Sequence, residues 1–209
     1  MLSLRSIEPH TLELLRKLSV NPLLSSARLV GGTSLALQYG HRQSIDLDFF
    51  SSNHLDIDAL IESLHHLGEL EVLNRTKNIL QTKVDGVLLD FVDYSCYDWI
   101  GGVIVEDGIV LASPVDIAAM KINAVIGRGT RKDFIDLYVL LKHYSIHEIM
   151  SFYHKKYPDY SEYQALKSLT YFEDAESYPM PVMLIDDDWD KMKETIIQAV
   201  KDYISHVAK

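Results

Sequence analysis

Apolar positions change their period along the chain. Behind Pro9, Leu12, Leu15 and Leu18 recur at helical spacing, and Asn21-Pro22 closes that run. Residues 27–30 form a short apolar stretch of strand type that enters Gly31-Gly32-Thr33-Ser34; Leu35, Ala36, Leu37 and Gln38 then favour a helix closed near Gly40. Residues 44–50 alternate strictly, so Ile45, Leu47 and Phe49 face one way and Asp46, Asp48 and Phe50 the other. An amphipathic helix fits 56–67 and ends at Gly68. Strands fit 79–84 and 87–94 around Asp85-Gly86, a strong two-residue hairpin signal. A second apolar pair, 103–105 and 109–111, brackets Glu106-Asp107-Gly108.

The pattern then turns helical. Ser113-Pro114-Val115-Asp116 combines a cap, a proline at the first position and an acid three residues after the cap. That helix should run to about Arg128 and stop near Gly129. Another fits 132–144, Ser145 and Glu148 form a capping box for a third, and further helices fit 161–168 and 188–206. The expected fold class is α+β: a mixed sheet with helices over residues 1–112, then a helical unit over 113–209 packed against it.

Composition narrows the classes. The 209 residues are 47% hydrophobic and 24% charged, enough to bury a core without disulfides or structural metal. Twenty Lys and Arg face 30 Asp and Glu, for a net charge of −10. This excludes a whole-surface basic footprint for nucleic acid and leaves room for a local patch. Cys96 is the only cysteine, so no internal disulfide forms, which suits a reducing compartment. The first twenty residues carry Arg5, Glu8, Glu13, Arg16 and Lys17, unlike a secretory signal, and no uncharged apolar run reaches the roughly 18 residues of a membrane span. The expectation is a cytoplasmic protein away from membranes.

The candidate chemistry lies around the glycine turn. Gly31 and Gly32 permit a tight turn and close approach of a ligand. The helix start behind them offers N–H groups and a positive dipole end, a seat for phosphate, to which Thr33 or Ser34 can add a hydroxyl. Asp46 and Asp48, two apart on a strand, leave one face about 6–7 Å apart and can share divalent cations. Asp90 sits inside the apolar strand Val87-Leu88-Leu89-Asp90-Phe91-Val92, where a carboxylate is costly unless paired or metal-bound. Asp93 points to the opposite face. Taken singly, two strand aspartates read as an exposed polar face and a Gly-Gly turn as a helix entry. Their combination on strand, turn, helix and strand is more specific.

Gly31-Gly32-Thr33, Asp46-x-Asp48 and Asp90 resemble the DNA polymerase beta-type nucleotidyltransferase superfamily. The strings LVGGTSLALQYGHRQSIDLDFF, SPVDIAAMKINAVIGRGTRKDFIDLYVLL and LKSLTYFEDAESYPMPVML narrow this resemblance to the AbiEii/AbiGii toxin family over roughly residues 25–200. Gly32-Thr33 replaces the commoner Gly-Ser and keeps a hydroxyl. The resemblance implies the nucleotidyltransferase-type mixed sheet, with helices on one side and a helical C-terminal unit. It implies Mg²⁺ (or Mn²⁺) and transfer of a nucleotide from a nucleoside triphosphate. Asp46 and Asp48 would bind metal and triphosphate; Asp90 would bind the catalytic metal and help activate the attacking hydroxyl.

Lys121, Arg128, Arg131 and Lys132 cluster within twelve residues, followed by Asp133 and Asp136. Family members carry a lysine and a later aspartate near the active site, which map here to Lys121 and Asp133, with Asp136 as the alternative. Lys121 would neutralise triphosphate charge. The plain readings are a solvated helix face for Lys121 and a helix-start charge or an Arg131 ion pair for the aspartates. Arg42 can pair with an acid or contact phosphate. Cys96 reads as structural, the nine histidines show no metal-ligand spacing, and residues 173–190, with seven acids and no Lys or Arg, read as a solvated loop.

Three functions follow. The first is a toxin-like nucleotidyltransferase acting on an RNA (tRNA) end, with a cognate antitoxin as partner. The second is nucleotidylation of a protein partner, which an acidic surface suits. The third is a catalytically inactive nucleotide- or partner-binding module, against which the complete Asp46, Asp48 and Asp90 set argues.

Overall fold

The structure, a computed structural model, describes residues 1–207. The chain divides into two compact units: residues 1–98 with 102–113, and residues 99–101 with the chain from Pro114 onward.

The first unit is built on one mixed sheet. Its strands are β1 (Ala27–Leu29), β2 (Leu47–Ser51), β3 (Leu70–Arg75), β4 (Ile79–Val84), β5 (Val87–Asp93), β6 (Ile104–Glu106) and β7 (Ile109–Leu111), in the order β3-β4-β5-β2-β1-β7-β6. β2 runs parallel to β5 and β1 parallel to β7; the other neighbours are antiparallel. Both Asp-Gly turns have positive φ at each residue, 49° and 83° at Asp85-Gly86 and 53° and 77° at Asp107-Gly108. That conformation matches the twist of the strands it joins.

Helices α1 (Pro9–Ser19), α2 (Gly31–Tyr39) and α3 (Ile57–His65) supply apolar side chains to one core with the sheet. Leu15 and Leu18 of α1, Leu37 of α2 and Leu60 and Leu64 of α3 meet Leu29, Leu47, Phe49, Leu89, Phe91 and Leu111. The Phe49 and Phe91 rings stack with centroids 5.6 Å apart. Strand alternation then turns Asp48 and Asp90 to the other face.

Two expectations are corrected in this unit. β2 begins at Leu47, not at residue 44, and Ile45 is 53% exposed. Residues 44–46 are held elsewhere: Ser44 N donates to the Ser6 carbonyl at 2.8 Å, and the Thr33 hydroxyl bonds to the Asp46 carbonyl. β3 has no counterpart in the sequence reading. Five of its six residues are exposed, so no buried face imposes a period-two pattern.

The second unit is helical: α4 (Pro114–Gly127), α5 (Arg131–Leu141), α6 (Ile146–Lys156), α7 (Glu162–Leu169), the short α8 (Glu173–Glu176) and α9 (Trp189–Val207). Every residue of α5 from Asp133 to Leu140 is buried, which makes it the central helix. Ser145 and Glu148 cap α6 reciprocally. Asp116 of α4 is fully buried and accepts from Lys156 Nζ and from the Ile100 and Gly101 N–H groups, each at 2.9 Å. Lys156 Nζ lies 4.7 Å from the Trp99 ring centroid. These bonds draw residues 99–101 into the helical unit.

Six of the seven acids in the stretch 173–190 are exposed, as a solvated loop would have them, but the stretch contains α8, and two of its acids are tied to distant cations. Glu176 pairs with Arg131 at 2.8 Å and Lys193 at 2.9 Å, and Asp187 pairs with Lys142 and Lys191 at 2.5 Å each. No helix among the described residues is long and apolar enough to cross a membrane.

Hydrogen bonds from Lys142 and then Lys191 bring the Asp187 carboxyl down to about 2. An unfolded aspartate titrates near 3.9, so the stabilisation is complete above that pH and is lost as pH falls through about 2. Asp187→Asn should therefore lower the melting temperature at pH 7, and the gap should close between about pH 4 and pH 2. Thermal melts followed by circular dichroism across that range check this; a gap independent of pH would mean that the contact is not ionic.

Candidate active site

The apolar side of the sheet fixes where its carboxylates stand. Asp48 is in register with Asp90 across the parallel β2–β5 pair, between the stacked rung Phe49–Phe91 and the buried rung Leu47–Leu89. In-register side chains on adjacent strands leave the same face, with backbones about 4.8 Å apart. Gln81 pairs with Asp90 on the other flank, and its amide nitrogen lies 3.2 Å from each carboxylate oxygen. One rung of the sheet thus carries Gln81, Asp90 and Asp48.

The turn into α2 closes on this rung. Val30 N donates to the Asp48 carbonyl at 2.8 Å, and α2 begins at once with Gly31 at φ 67°. A Cβ at Gly31 would lie 2.2 Å from Asp48 Oδ2, so the carboxylate occupies the space that the missing side chain leaves. No side chain caps α2, whose N-cap is Val30. The first-turn N–H groups of Gly31 and Gly32, both half-buried, therefore lack a capping side-chain partner beside the Asp48 carboxylate.

Thr33 and Ser34 face inward, with 1% and 0% of their surface exposed. Thr33 Oγ1 bonds to the Asp46 carbonyl and, at 2.8 Å, to Ser44 Oγ; Ser34 Oγ accepts from Gln38 at 3.2 Å. The hydroxyls proposed for phosphate serve inside the unit, and the backbone of the turn is what it presents. Asp46, half-buried, stands one residue before β2 and outside its ladder. Arg42 is 2% exposed and donates to the Gln43 carbonyl at 3.0 Å, an internal brace. Asp93 faces away, bonded to His54 and Ser95. Cys96 is exposed rather than structural.

The second unit gathers the other candidates. Lys121 is only 4% exposed, and its Nζ lies 3.0 Å from Asp133 Oδ1 and 2.6 Å from Asp136 Oδ2. The aspartate and its alternative thus hold one lysine. Asp133, at the start of α5, also accepts from Arg128 Nε at 2.9 Å and Nη2 at 3.0 Å, and from the Thr130 hydroxyl at 2.6 Å. Burial alone would raise the Asp133 pKa; the Lys121 charge, the Arg128 guanidinium and the Thr130 hydroxyl outweigh it and hold the carboxyl well below the usual range. The solvated-face reading of Lys121 is thereby overturned. The four-cation patch also dissolves, since Arg131 is 15% exposed at its side chain, pairs with Glu176 and lies over the Trp189 ring.

Among the described residues, no three His, Cys, Asp or Glu side chains are gathered into a ready metal cluster. What stands on the sheet is the Asp48–Asp90 rung, with Asp46 two residues ahead of Asp48. This donor set is all oxygen and anionic, which fits a hard cation such as Mg²⁺ or Mn²⁺ rather than a thiolate- or imidazole-seeking metal.

Comparison with known proteins gives these residues a context. The family described as nucleotidyl transferase AbiEii toxin, type IV TA system, matches residues 13–106 and 104–208. An uncharacterised protein of Aquifex aeolicus (strain VF5) is 31% identical over 209 residues, covering 97% of this chain and all of that one. The crystal structure of JHP933 from Helicobacter pylori is similar with a TM-score of 0.54 at 18% identity, over 97% of this chain and 98% of that one, which shows a shared fold. The Megavirus polyadenylate synthase aligns with 64% of this chain and 31% of its own, at 18% identity and a TM-score of 0.46.

Two outcomes follow from the contacts above. Gly31→Ala puts a Cβ on Asp48 Oδ2 and an L-residue in the left-handed region, so unfolding in urea should show a loss of at least ~1–2 kcal/mol. Asp48→Ala in the same chain should recover part of it, and strict additivity would mean that the two do not touch. Lys121→Ala takes from Asp136 its 2.6 Å partner and from Asp133 one of two cations. Breaking a buried pair in this way should cost about 3–5 kcal/mol in the same measurement, where an exposed helix lysine would cost almost nothing.

Proposed function

The chain belongs to the AbiEii family of nucleotidyl transferase toxins, and from that premise we propose a Mg²⁺- or Mn²⁺-dependent transfer of a nucleotide from a nucleoside triphosphate to the hydroxyl of an RNA end, a tRNA acceptor being the expected class. The observation that carries the reading is the Asp48–Asp90 rung closed by Gly31. Asp46, Asp48 and Asp90 are the residues that would hold the cation, which when bound supplies charge to neutralise the triphosphate and the departing pyrophosphate.

The remaining steps belong to the chain itself. Backbone N–H groups of Gly31 and Gly32, at the positive end of α2, hold phosphate oxygens. Thr33 and Ser34 keep that turn in shape through their buried bonds. Gln81 orients the Asp90 carboxylate, which accepts the proton of the attacking hydroxyl. The acceptor oxygen bonds to the α-phosphorus as the bond to the bridging oxygen breaks, and pyrophosphate leaves in line. Lys121, whose charge Asp133 and Asp136 take up, holds α4 to α5 and has no part in the triphosphate step. The substrates point to the cytoplasm, and the type IV toxin–antitoxin description of the family to a cognate antitoxin.

The net charge of −10 favours a protein acceptor over RNA, which makes protein nucleotidylation the second reading. One incubation separates them: each α-labelled nucleoside triphosphate with Mg²⁺, total RNA and cell lysate. Label should enter RNA and fall by at least about 100-fold in Asp48→Asn and Asp90→Asn, the scale of losing metal-borne charge stabilisation. Label in protein replaces the RNA reading, and no label from the folded wild type in either fraction overturns the enzymatic one.

A further inference from the structure

The second unit carries a cavity of about 380 Å³ where α4 ends and α7 passes. Its polar side chains are Arg128, Gln164, Lys167, Ser168, Tyr171 and Asp174. The volume lies within the range of small-ligand sites, about 300–1,000 Å³. The chain is strongly acidic, and its acids engage many cations: Arg75, Lys121, Arg128, Arg131, Lys142, Lys156, Lys191 and Lys193 each sit in an ion pair. Arg128 and Lys167 are the basic side chains on this cavity, and Arg128 is already paired with Asp133.

The lining suits a nucleotide. Tyr171 is 48% exposed while its hydroxyl donates to Glu173 Oε2 at 3.1 Å, which tethers the side chain at the surface. Aromatic faces of this kind stack any base. Arg128 is clamped by two hydrogen bonds to Asp133, yet its side chain is 64% exposed. Its charge is balanced, and what remains is a fixed guanidinium plane, the second surface on which bases stack in RNA recognition. Lys167, exposed on α7, is the cation suited to a phosphate. Asp174 lines the same cavity and can accept from the exocyclic amine of a base. Gln164 and Ser168 offer both donors and acceptors.

We infer that this cavity seats one unpaired nucleotide of the RNA acceptor, its base against Tyr171 and the Arg128 plane and its phosphate on Lys167. The inference rests on the RNA reading above. Arg128 and Lys121 share Asp133, so the wall of the cavity and the buried lysine are braced by one carboxylate.

The test uses the full chain and a 5′-fluorescein single-stranded hexaribonucleotide, read by anisotropy over a salt series without triphosphate. Tyr171→Ala should weaken RNA binding by about 5- to 150-fold, the range for one stacked base, and Tyr171→Phe should retain it. Lys167→Ala should reduce the slope of log affinity against log salt by about 0.7, one phosphate contact on a single strand. Triphosphate affinity, measured calorimetrically with Mg²⁺, should hold in all three variants. Wild-type RNA binding in Tyr171→Ala and Lys167→Ala overturns the cavity and leaves the RNA reading standing. Equal losses for RNA and triphosphate overturn it too, by assigning the cavity to the triphosphate. A wild type that binds no RNA and labels protein removes the RNA reading and this inference together.

Discussion

The register between β2 and β5 is the constraint on which the candidate site depends. It is set from the opposite side of the sheet, where Phe49 stacks on Phe91 and Leu47 and Leu89 are buried. A slip of one residue in either strand would turn its aspartate into the core and its phenylalanine out of it. Apolar packing therefore holds two like charges on one rung, an arrangement that the carboxylates alone would oppose. The close approach of Gly31 follows from the register of β1 with β2, since Asp48 is the residue whose carbonyl receives Val30. The site is in this sense a by-product of a well-specified core face, with chemistry placed on the face that the core does not use.

The helical unit solves the opposite problem, charges inside rather than outside. Lys121, Asp133, Asp136, Asp116 and Lys156 are all nearly or fully buried, and each has a partner of opposite sign. Asp133 is the most heavily committed, with two cations and a hydroxyl on one carboxylate. Removing water from such groups is expensive, and only well-formed geometry offsets it. The arrangement fixes the relative setting of α4 and α5 more narrowly than aliphatic packing would, because hydrogen-bond directions tolerate less sliding than methyl groups do.

Much of this was legible in the residues, by different routes. The Asp85-Gly86 turn predicted its hairpin and fixes Val84 opposite Val87. Counting outward places Gln81 opposite Asp90, so the residue that holds that carboxylate was available from spacing alone, although composition gave no reason to single it out. The burial of Lys121 also had a signal: Ile117, Lys121 and Val125 share one helical face, and both neighbours are buried. A lysine on an apolar stripe requires buried acids, and Asp133 and Asp136, three apart on α5, supply them. Two features were not legible. β3 exposes nearly all its side chains, so its pairing with β4 left no trace in hydrophobicity. The start of β2 was displaced because Thr33, eleven residues before Ser44, binds the chain at residues 44–46, a tertiary bond that local alternation does not record.

The three residues Trp99–Gly101 give the chain an unusual accounting of what is separable. They lie within the sequence of the first unit but belong by contact to the second, so the polypeptide passes between the units at 98–99, at 101–102 and again at 113–114. No single cut divides the protein into its two halves. A fragment starting at Pro114 would lack the two N–H groups that Asp116 receives and the ring over which Lys156 lies, leaving a fully buried charge pair incompletely solvated by protein. During synthesis the ribosome delivers residues 99–101 well before Lys156 exists, so the helical unit has to fold back onto a segment made earlier. Gene fusion, fission or domain exchange at the apparent boundary would thus break a structural unit that the linear sequence presents as intact.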